Sequence, residues 1–257
     1  MIWYSDCIVT NQNNASLDLY THSKLMIGQT IHIYRCGECV WTGKMDDQKK
    51  HIELPPPKDS LEHYTIVFSN EWTRVSYPWT VMRLQPDEPY IICDIDFTIS
   101  ATNAIKYLMR KITGLKTIGN SMDVLRRLSE HYRIIYLTGR IERYTKMSRL
   151  WLEKNLYPIG PILARPKDFP LKLADFKTNI LKSITAISSQ GIGIGDLKSD
   201  IIAYQQTGII PIKIKHPFND YKSTRTDVWF KEGYYLARSW HGIEQLFREK
   251  RFFLDKE

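Results

Sequence analysis

Hydrophobic and polar positions along the chain fall into two textures, which meet near Gln85-Pro86-Asp87-Glu88-Pro89. Ahead of that point, short runs rich in β-branched and aromatic residues alternate with turn residues, at 3–10, 17–22, 30–35, 40–45 and 64–69. Short strands at this spacing, with few helical patterns, predict a small β-sandwich or barrel over residues 1–85. Pro55-Pro56-Pro57 reads as a stiff exposed connector, because proline gives a ladder no donor.

Beyond residue 89 strands and helices alternate. Strands are predicted at 90–93, 133–137, 161–164, 191–194 and 210–214. Helical spacing of apolar residues appears from Thr102 to Gly114, over 121–131 and 142–155, and around 176–187 and 199–206. This order predicts an α/β domain over 86–257, a doubly wound parallel sheet with helices on both faces. In such sheets the ligand sits beyond the carboxyl ends of the strands.

Composition adds little beyond class. At 257 residues, with 43% hydrophobic and 25% charged positions, the chain reads as globular and large enough for one or two full cores. No apolar run approaches the about 20 residues that cross a bilayer, and Met1–Asp6 lacks the pattern of a signal peptide. Four cysteines are too few for a disulfide framework, so the expected compartment is a reducing cytoplasm. Charge is more telling when divided. Residues 1–85 hold 8 basic and 9 acidic side chains, leaving 28 basic and 19 acidic in 86–257, a net of +9. Such a segment suits phosphorylated metabolites, nucleic acid or an anionic membrane surface, or is simply a solvated basic face.

Chemistry-bearing residues fall just after strand ends. Asp94-Ile95-Asp96-Phe97-Thr98 follows the 90–93 strand, Thr138-Gly139-Arg140 follows 133–137, and Gly195-Asp196-Leu197-Lys198-Ser199-Asp200 follows 191–194. In extended chain, alternate residues share a direction, so Asp94 and Asp96 both project into the crevice. Carboxylates so close repel unless a cation neutralises them. With Asp196 and Asp200 they form an all-oxygen set that suits Mg²⁺ rather than zinc or copper. The Thr138 hydroxyl and the Lys177 charge suit phosphate oxygens. Together they describe a phosphoryl-transfer site.

This order of motifs resembles the haloacid dehalogenase superfamily of aspartyl phosphatases, over roughly residues 90–215. The resemblance implies Asp94 as nucleophile and Asp96 as general acid and then base. It implies Mg²⁺ held by Asp94, Asp196 and the Asp96 main-chain carbonyl, with Asp200 in or just behind that shell. Thr138 and Lys177 would grip the phosphoryl oxygens, joined by Thr98 and Gly139; Lys172 is the alternative lysine. The intervals from Asp94 to Thr138 and from Thr138 to Lys177, 44 and 39 positions, leave no room for a large cap domain. An open site accepts phosphate on a bulky body such as lipid, protein or nucleic acid.

Within the superfamily the chain looks most similar to the phosphatidate-phosphatase branch, the lipin-like and actin-patch-protein enzymes. Asp94-Ile95-Asp96-Phe97-Thr98-Ile99, Pro158-Ile159-Gly160-Pro161 and Lys177 carry that similarity, as does a β-rich domain ahead of the catalytic one. Phe97 stands where the branch usually has Gly or Asp, and Thr138-Gly139-Arg140 replaces its Ser-Ala-type motif. Substrate readings therefore run from phosphatidate to a terminal phosphate on nucleic acid, with a non-catalytic phospholipid- or phosphate-binding module as the rival class. A phosphotransferase that passes the group to an acceptor other than water stays open as well.

Other signals carry less. Arg140 and Arg143 either read a second anionic group or, more commonly for such residues, lie on a solvated helix surface. Cys36-Gly37-Glu38-Cys39 lacks the second ligand pair of a structural zinc site and fits a hairpin with Gly37-Glu38 at its tip. Trp72, Tyr77 and Trp79, with Arg74 and Arg83, fit an interdomain core better than a base-stacking or membrane surface. Cys93 reads as inert packing. Phe252, Phe253 and Leu254 after Arg248, Lys250 and Arg251 fit either a contact with an anionic membrane or a cap on the last helix.

Overall fold

A computed structural model describes residues 2–10, 12–101, 116–166, 172–216 and 224–254. The helix predicted from Thr102 to Gly114 lies outside the described residues. The chain divides into two compact units. The first comprises Met1–Gln85 with Arg140–Arg149 and Gly160–Asp168; the second comprises Pro86–Gly139, Leu150–Ile159 and Phe169–Glu257. The sequence reading placed all of 86–257 in the second domain, whereas two later segments group with the first unit. Asp6 accounts for this. Its Oδ2 accepts from the main-chain N–H of Ile162 at 2.6 Å and from Arg149, and its Oδ1 accepts from Thr80 N–H at 2.8 Å.

Among the described residues of the 1–85 segment the first unit has eight strands: β1 (Ile2–Trp3), β2 (Cys7–Val9), β3 (Ala15–Thr21), β4 (Thr30–Arg35), β5 (Glu38–Lys44), β6 (Lys49–Leu54), β7 (Leu61–Ser69) and β8 (Arg74–Arg83). They form a three-stranded sheet, β1-β3-β6, and a five-stranded sheet, β2-β8-β7-β4-β5. Alternation of side chains puts Leu17, Leu19, Ile52 and Leu54 of one sheet into the same core as Ile31, Ile33, Ile66, Phe68, Trp79 and Val81 of the other. The unit is a β-sandwich. Two strands escape the sequence pattern. In β6 only Ile52 and Leu54 are buried, and β8 carries Pro78, which reads as a breaker. Pro78 is tolerated because β8 pairs there with β7 alone, while β2 pairs only with Val81, Met82 and Arg83.

Three expectations change here. Tyr77 and Trp79 belong to the sandwich's own core rather than to an interdomain core, and Trp72 is exposed. The β4–β5 turn consists of Cys36 and Gly37, both at positive φ, since Arg35 pairs with Glu38; the tip is one residue earlier than expected. Cys36 and Cys39 are both free and exposed.

In the second unit, β9 (Tyr90–Cys93) lies between β10 (Arg133–Ile141) and β12 (Gly191–Gly195), parallel to both. Beyond β12 come β13 (Ile210–Ile214), β15 (Tyr234–Ala237) and the antiparallel edge strand β14 (Val228–Lys231). Strand β11 (Ile162–Arg165) falls in the first unit. Helices α1 (Ser121–Leu128), α2 (Thr145–Lys154), α3 (Leu173–Thr185), α4 (Lys198–Gln206) and α5 (Trp240–Lys250) complete the order. The chain steps from β9 to β10 on one side and returns to β12 on the other. This places a switch point at the carboxyl ends of β9 and β12, the position at which such sheets take their ligand. The β14–β15 hairpin went unread in the sequence, and α5 was given no bounds there.

Gly-Ile-Gly-Ile-Gly in β12 shows why the sheet closes tightly behind that crevice. A Cβ on Gly193 would sit 2.5 Å from the Tyr204 ring of α4, and one on Gly195 would sit 2.6 Å from Asp200 Oδ2. Only glycine lets the α4 side chains rest on the strand backbone. At the other end, Phe252 packs on Phe247 and Tyr235, so that residue caps the last helix rather than meeting a membrane.

Candidate active site

Asp94 follows the four fully buried residues of β9 and is itself buried. Its main-chain N–H is tied to Ile194 O at 3.0 Å. The following turn folds back through Phe97 N–H to Ser100 O, 2.8 Å, and Ser100 N–H to Ile95 O, 2.9 Å. This turn requires φ +56° at Phe97. The left-handed region favours glycine, which accounts for the Gly or Asp that the resembled branch uses at this place.

Lys177 enters from α3, wholly buried, and donates to Asp94 Oδ1 and Asp200 Oδ1, each at 2.7 Å. Lys172 is exposed ahead of the same helix, so of the two lysines Lys177 is the one brought to the aspartates. Asp200 Oδ2 accepts from Leu197 N–H at 3.1 Å, which fixes the start of α4 and the loop carrying Asp196. Thr98 Oγ1 lies 3.5 Å from both Asp94 Oδ2 and Asp196 Oδ1. Thr138 is buried within β10, which runs on to Ile141. A Cβ on Gly139 would meet Leu173 at 2.9 Å, so glycine is needed there for packing against α3.

One oxygen from each of Asp94, Asp196 and Asp200 lies within 4.8 Å of the others; the Asp96 carboxylate is outside this group and half-buried. Burial pushes the Asp94 carboxyl up to about 7, with Lys177 opposing and Asp200 and Asp196 adding to the rise. Asp196 is raised to about 6, first by burial and then by Asp200. Lys177 is held charged by Asp94 and Asp200, against the cost of its burial. Three acids against one lysine leave an excess of negative charge in a buried place. An all-oxygen set with that excess fits a hard divalent cation.

One supporting residue had no signal in the sequence. The Trp240 indole donates to Thr98 O at 2.9 Å, across 142 positions, from the first turn of α5. Arg140 does not lie on a solvated helix surface, and Arg143 is half-buried. Arg140 is buried and donates to Ser148 Oγ at 3.0 Å, and the Arg143 guanidinium lies 4.7 Å from the Tyr144 ring centre. Cys93 is buried and its thiol is pushed up by burial, in keeping with packing.

The parallel sheet, the strand-end aspartates and the buried lysine define a phosphatase domain of the haloacid dehalogenase type. Residues 91–215 match the family model described as PITM 1-3, LNS2 domain. No curated protein matches the chain. Similar solved structures include a chain of the Pnkp1/Rnl/Hen1 RNA repair complex, at 17% identity and TM-score 0.42 over 49% of this chain. The chain spans only 42% of that structure's length. A haloacid dehalogenase-like hydrolase from Streptococcus pneumoniae is 17% identical, covering 50% of this chain and 85% of its own at TM-score 0.38. A haloacid dehalogenase-superfamily hydrolase from Geobacter sulfurreducens is 11% identical, covering 63% and 97% at TM-score 0.42. At these values the likenesses carry nothing about substrate. No helix among the described residues is long and apolar enough to cross a membrane.

Proposed function

We propose that the second unit is a Mg²⁺-dependent phosphatase that hydrolyses a phosphomonoester through an aspartyl-phosphate on Asp94. The observation that carries this is the single buried ammonium of Lys177, 2.7 Å from both Asp94 and Asp200 beside Asp196. An Asp94 oxygen attacks phosphorus while the bond to the leaving oxygen breaks, and Asp96 delivers the proton that oxygen takes up. Asp96 then removes a proton from water, which attacks the same phosphorus and releases Asp94 and phosphate. Lys177 and the Thr138 hydroxyl orient phosphoryl oxygens, and Asp200 holds Lys177 in place. Asp94, Asp196 and the Asp96 main-chain carbonyl would hold Mg²⁺, with Asp200 in or just behind them; when bound it supplies positive charge to the phosphoryl group.

The short intervals around Thr138 and the LNS2 match favour a bulky substrate, with phosphatidate first and a cytoplasmic setting. The net charge of +9 over 86–257 favours a second reading, a terminal phosphate on nucleic acid.

Hydrolysis of an aryl phosphate with Mg²⁺ and with EDTA, for wild type and Asp94→Asn, tests the chemistry. Activity that needs Mg²⁺ and vanishes in the variant supports the mechanism; activity surviving the substitution overturns it. Comparing phosphatidate vesicles with phosphorylated oligonucleotides across a salt series then separates the two substrates.

A further inference from the structure

The first unit's sandwich exposes two large apolar side chains on adjacent turns at one end. Leu25 is 82% exposed on the 3₁₀ turn Lys24–Met26, and Trp72 is 87% exposed in the turn joining β7 to β8. Both turns are held in place rather than loose. Met26 beside Leu25 is anchored in the core. The Asn70 side-chain oxygen accepts from Trp72 N–H, Thr73 N–H and the Thr73 hydroxyl at 2.9, 2.7 and 2.9 Å. Gln29 joins the two turns, its amide donating to Leu25 O at 2.9 Å and lying 3.5 Å from Thr73 Oγ1. Ile27 and Val75, each 37% exposed, continue the apolar surface.

Cations flank this tip. Register places Lys44 opposite Thr30, Thr30 opposite Ser69, and Ser69 opposite Arg74, so both basic residues end their strands beside the two turns. Lys24 precedes Leu25. Glu71 is the acidic residue of these two turns; on the neighbouring β5–β6 turn Asp46 is paired with Lys50 at 2.5 Å and Asp47 binds Gln48 N–H.

We propose that this tip docks the protein on the surface of an anionic phospholipid bilayer, with Trp72 and Leu25 entering the interface and Lys24, Lys44 and Arg74 facing the headgroups. Trp suits that boundary because its ring is apolar while its N–H stays wet. Nearby cations add attraction to anionic lipid. Two protrusions on separate turns lack the continuous flat patch of a stable protein interface, about 800 Å² per partner. A single exposed ring beside a leucine also lacks the successive stacking platforms of a nucleic-acid groove.

Flotation of the full chain with vesicles tests this without turnover, so it stands apart from the phosphatase reading; Asp94→Asn floats like wild type. The wild type is expected to float with 70:30 phosphatidylcholine:phosphatidylserine vesicles at low salt, and far less with phosphatidylcholine alone. Trp72→Ser with Leu25→Ser lowers partitioning about tenfold or more, and Lys24→Gln, Lys44→Gln, Arg74→Gln removes the salt dependence. All five side chains are exposed, so unchanged melting curves confirm the fold. Quenching by lipids brominated high on the acyl chain should lose a component in Trp72→Phe. A wild type that stays in solution overturns the proposal. So does a double serine variant that floats equally well, or one that changes only the oligomeric state or nucleic-acid binding.

Discussion

Lys177 and Asp94 stand 83 positions apart in sequence and 2.7 Å apart in space, Nζ to Oδ1, both buried. The same ammonium lies 2.7 Å from Asp200, so one cation serves two carboxylates that would otherwise face each other in a low dielectric. Lys177→Met should therefore lose activity on an aryl phosphate by about 100-fold or more. Without Mg²⁺ it should also lose about 3 kcal/mol or more of stability at pH 8, because ionised acids are left buried and unpaired. At pH 5 protonation relieves them and the loss shrinks. Urea titrations at the two pH values check the difference; equal losses would mean that Lys177 serves packing alone.

The acid cluster links pH to metal. Asp94 and Asp196 are raised in the folded chain to about 7 and about 6, above their unfolded values. Between those limits the folded state holds more protons than the unfolded one. Their contribution to stability is therefore lost as pH rises from about 4 to 7 in EDTA. In the proposed mechanism Mg²⁺ binds the ionised forms, so its stabilising effect should run the other way and grow with pH. Calorimetry should show a melting temperature that falls from pH 5 to pH 8 in EDTA. Mg²⁺ should restore it at pH 8 by several degrees and at pH 5 barely. Asp196→Asn should remove the Mg²⁺ response.

Phe97 holds a backbone conformation that a side chain resists. With φ at +56°, a β-branched residue there is strained further than Phe. Phe97→Val should cost about 1–2 kcal/mol and lower activity, because the turn aims Asp94 and Thr98. Phe97→Gly removes the strain at the expense of a looser unfolded chain, and should keep activity within about threefold. Paired denaturant melts and phosphatase rates check the contrast, and a Gly variant as damaged as the Val variant would show that the Phe97 ring, not its backbone, matters.

What the sequence made legible follows from physical range. β9 and β12 are buried on both faces, so each reads as a continuous apolar run between turn signals. Asp94 and Asp196 stand at strand ends, where an acidic residue has no structural excuse, and Asp200 follows in the first turn of α4. Trp240 is different: its partner Thr98 is 142 positions away, and nothing local in Ser-Trp-His-Gly announces it. The β14–β15 hairpin hides because its edge strand exposes Trp229 and Phe230 and so lacks alternation; its turn, Glu232-Gly233, has both residues at positive φ. Arg140 and Arg149 are buried, while arginine in a sequence reads as surface. Their partners, Ser148 and Asp6, are fixed by the tertiary fold.

Glu142 offers a last test, away from the catalytic chemistry. It sits in the short 3₁₀ turn after β10, buried, and burial, helped by the charge of Asp18, raises its carboxyl to about 7. The unfolded residue ionises near 4.5. The folded state thus keeps a proton that the unfolded state has released between about pH 4.5 and 7, and stability falls as pH rises through that window. Above pH 7 the full cost of an ionised buried carboxylate is present, up to about 3 kcal/mol. Glu142→Gln keeps the shape and removes the charge. The variant should match wild type at pH 4.5 and exceed it at pH 8, by about 1–3 kcal/mol in denaturant midpoints converted to free energy. A variant less stable than wild type at pH 8 would mean that the ionised carboxylate holds a partner in the folded chain, and that its burial is compensated.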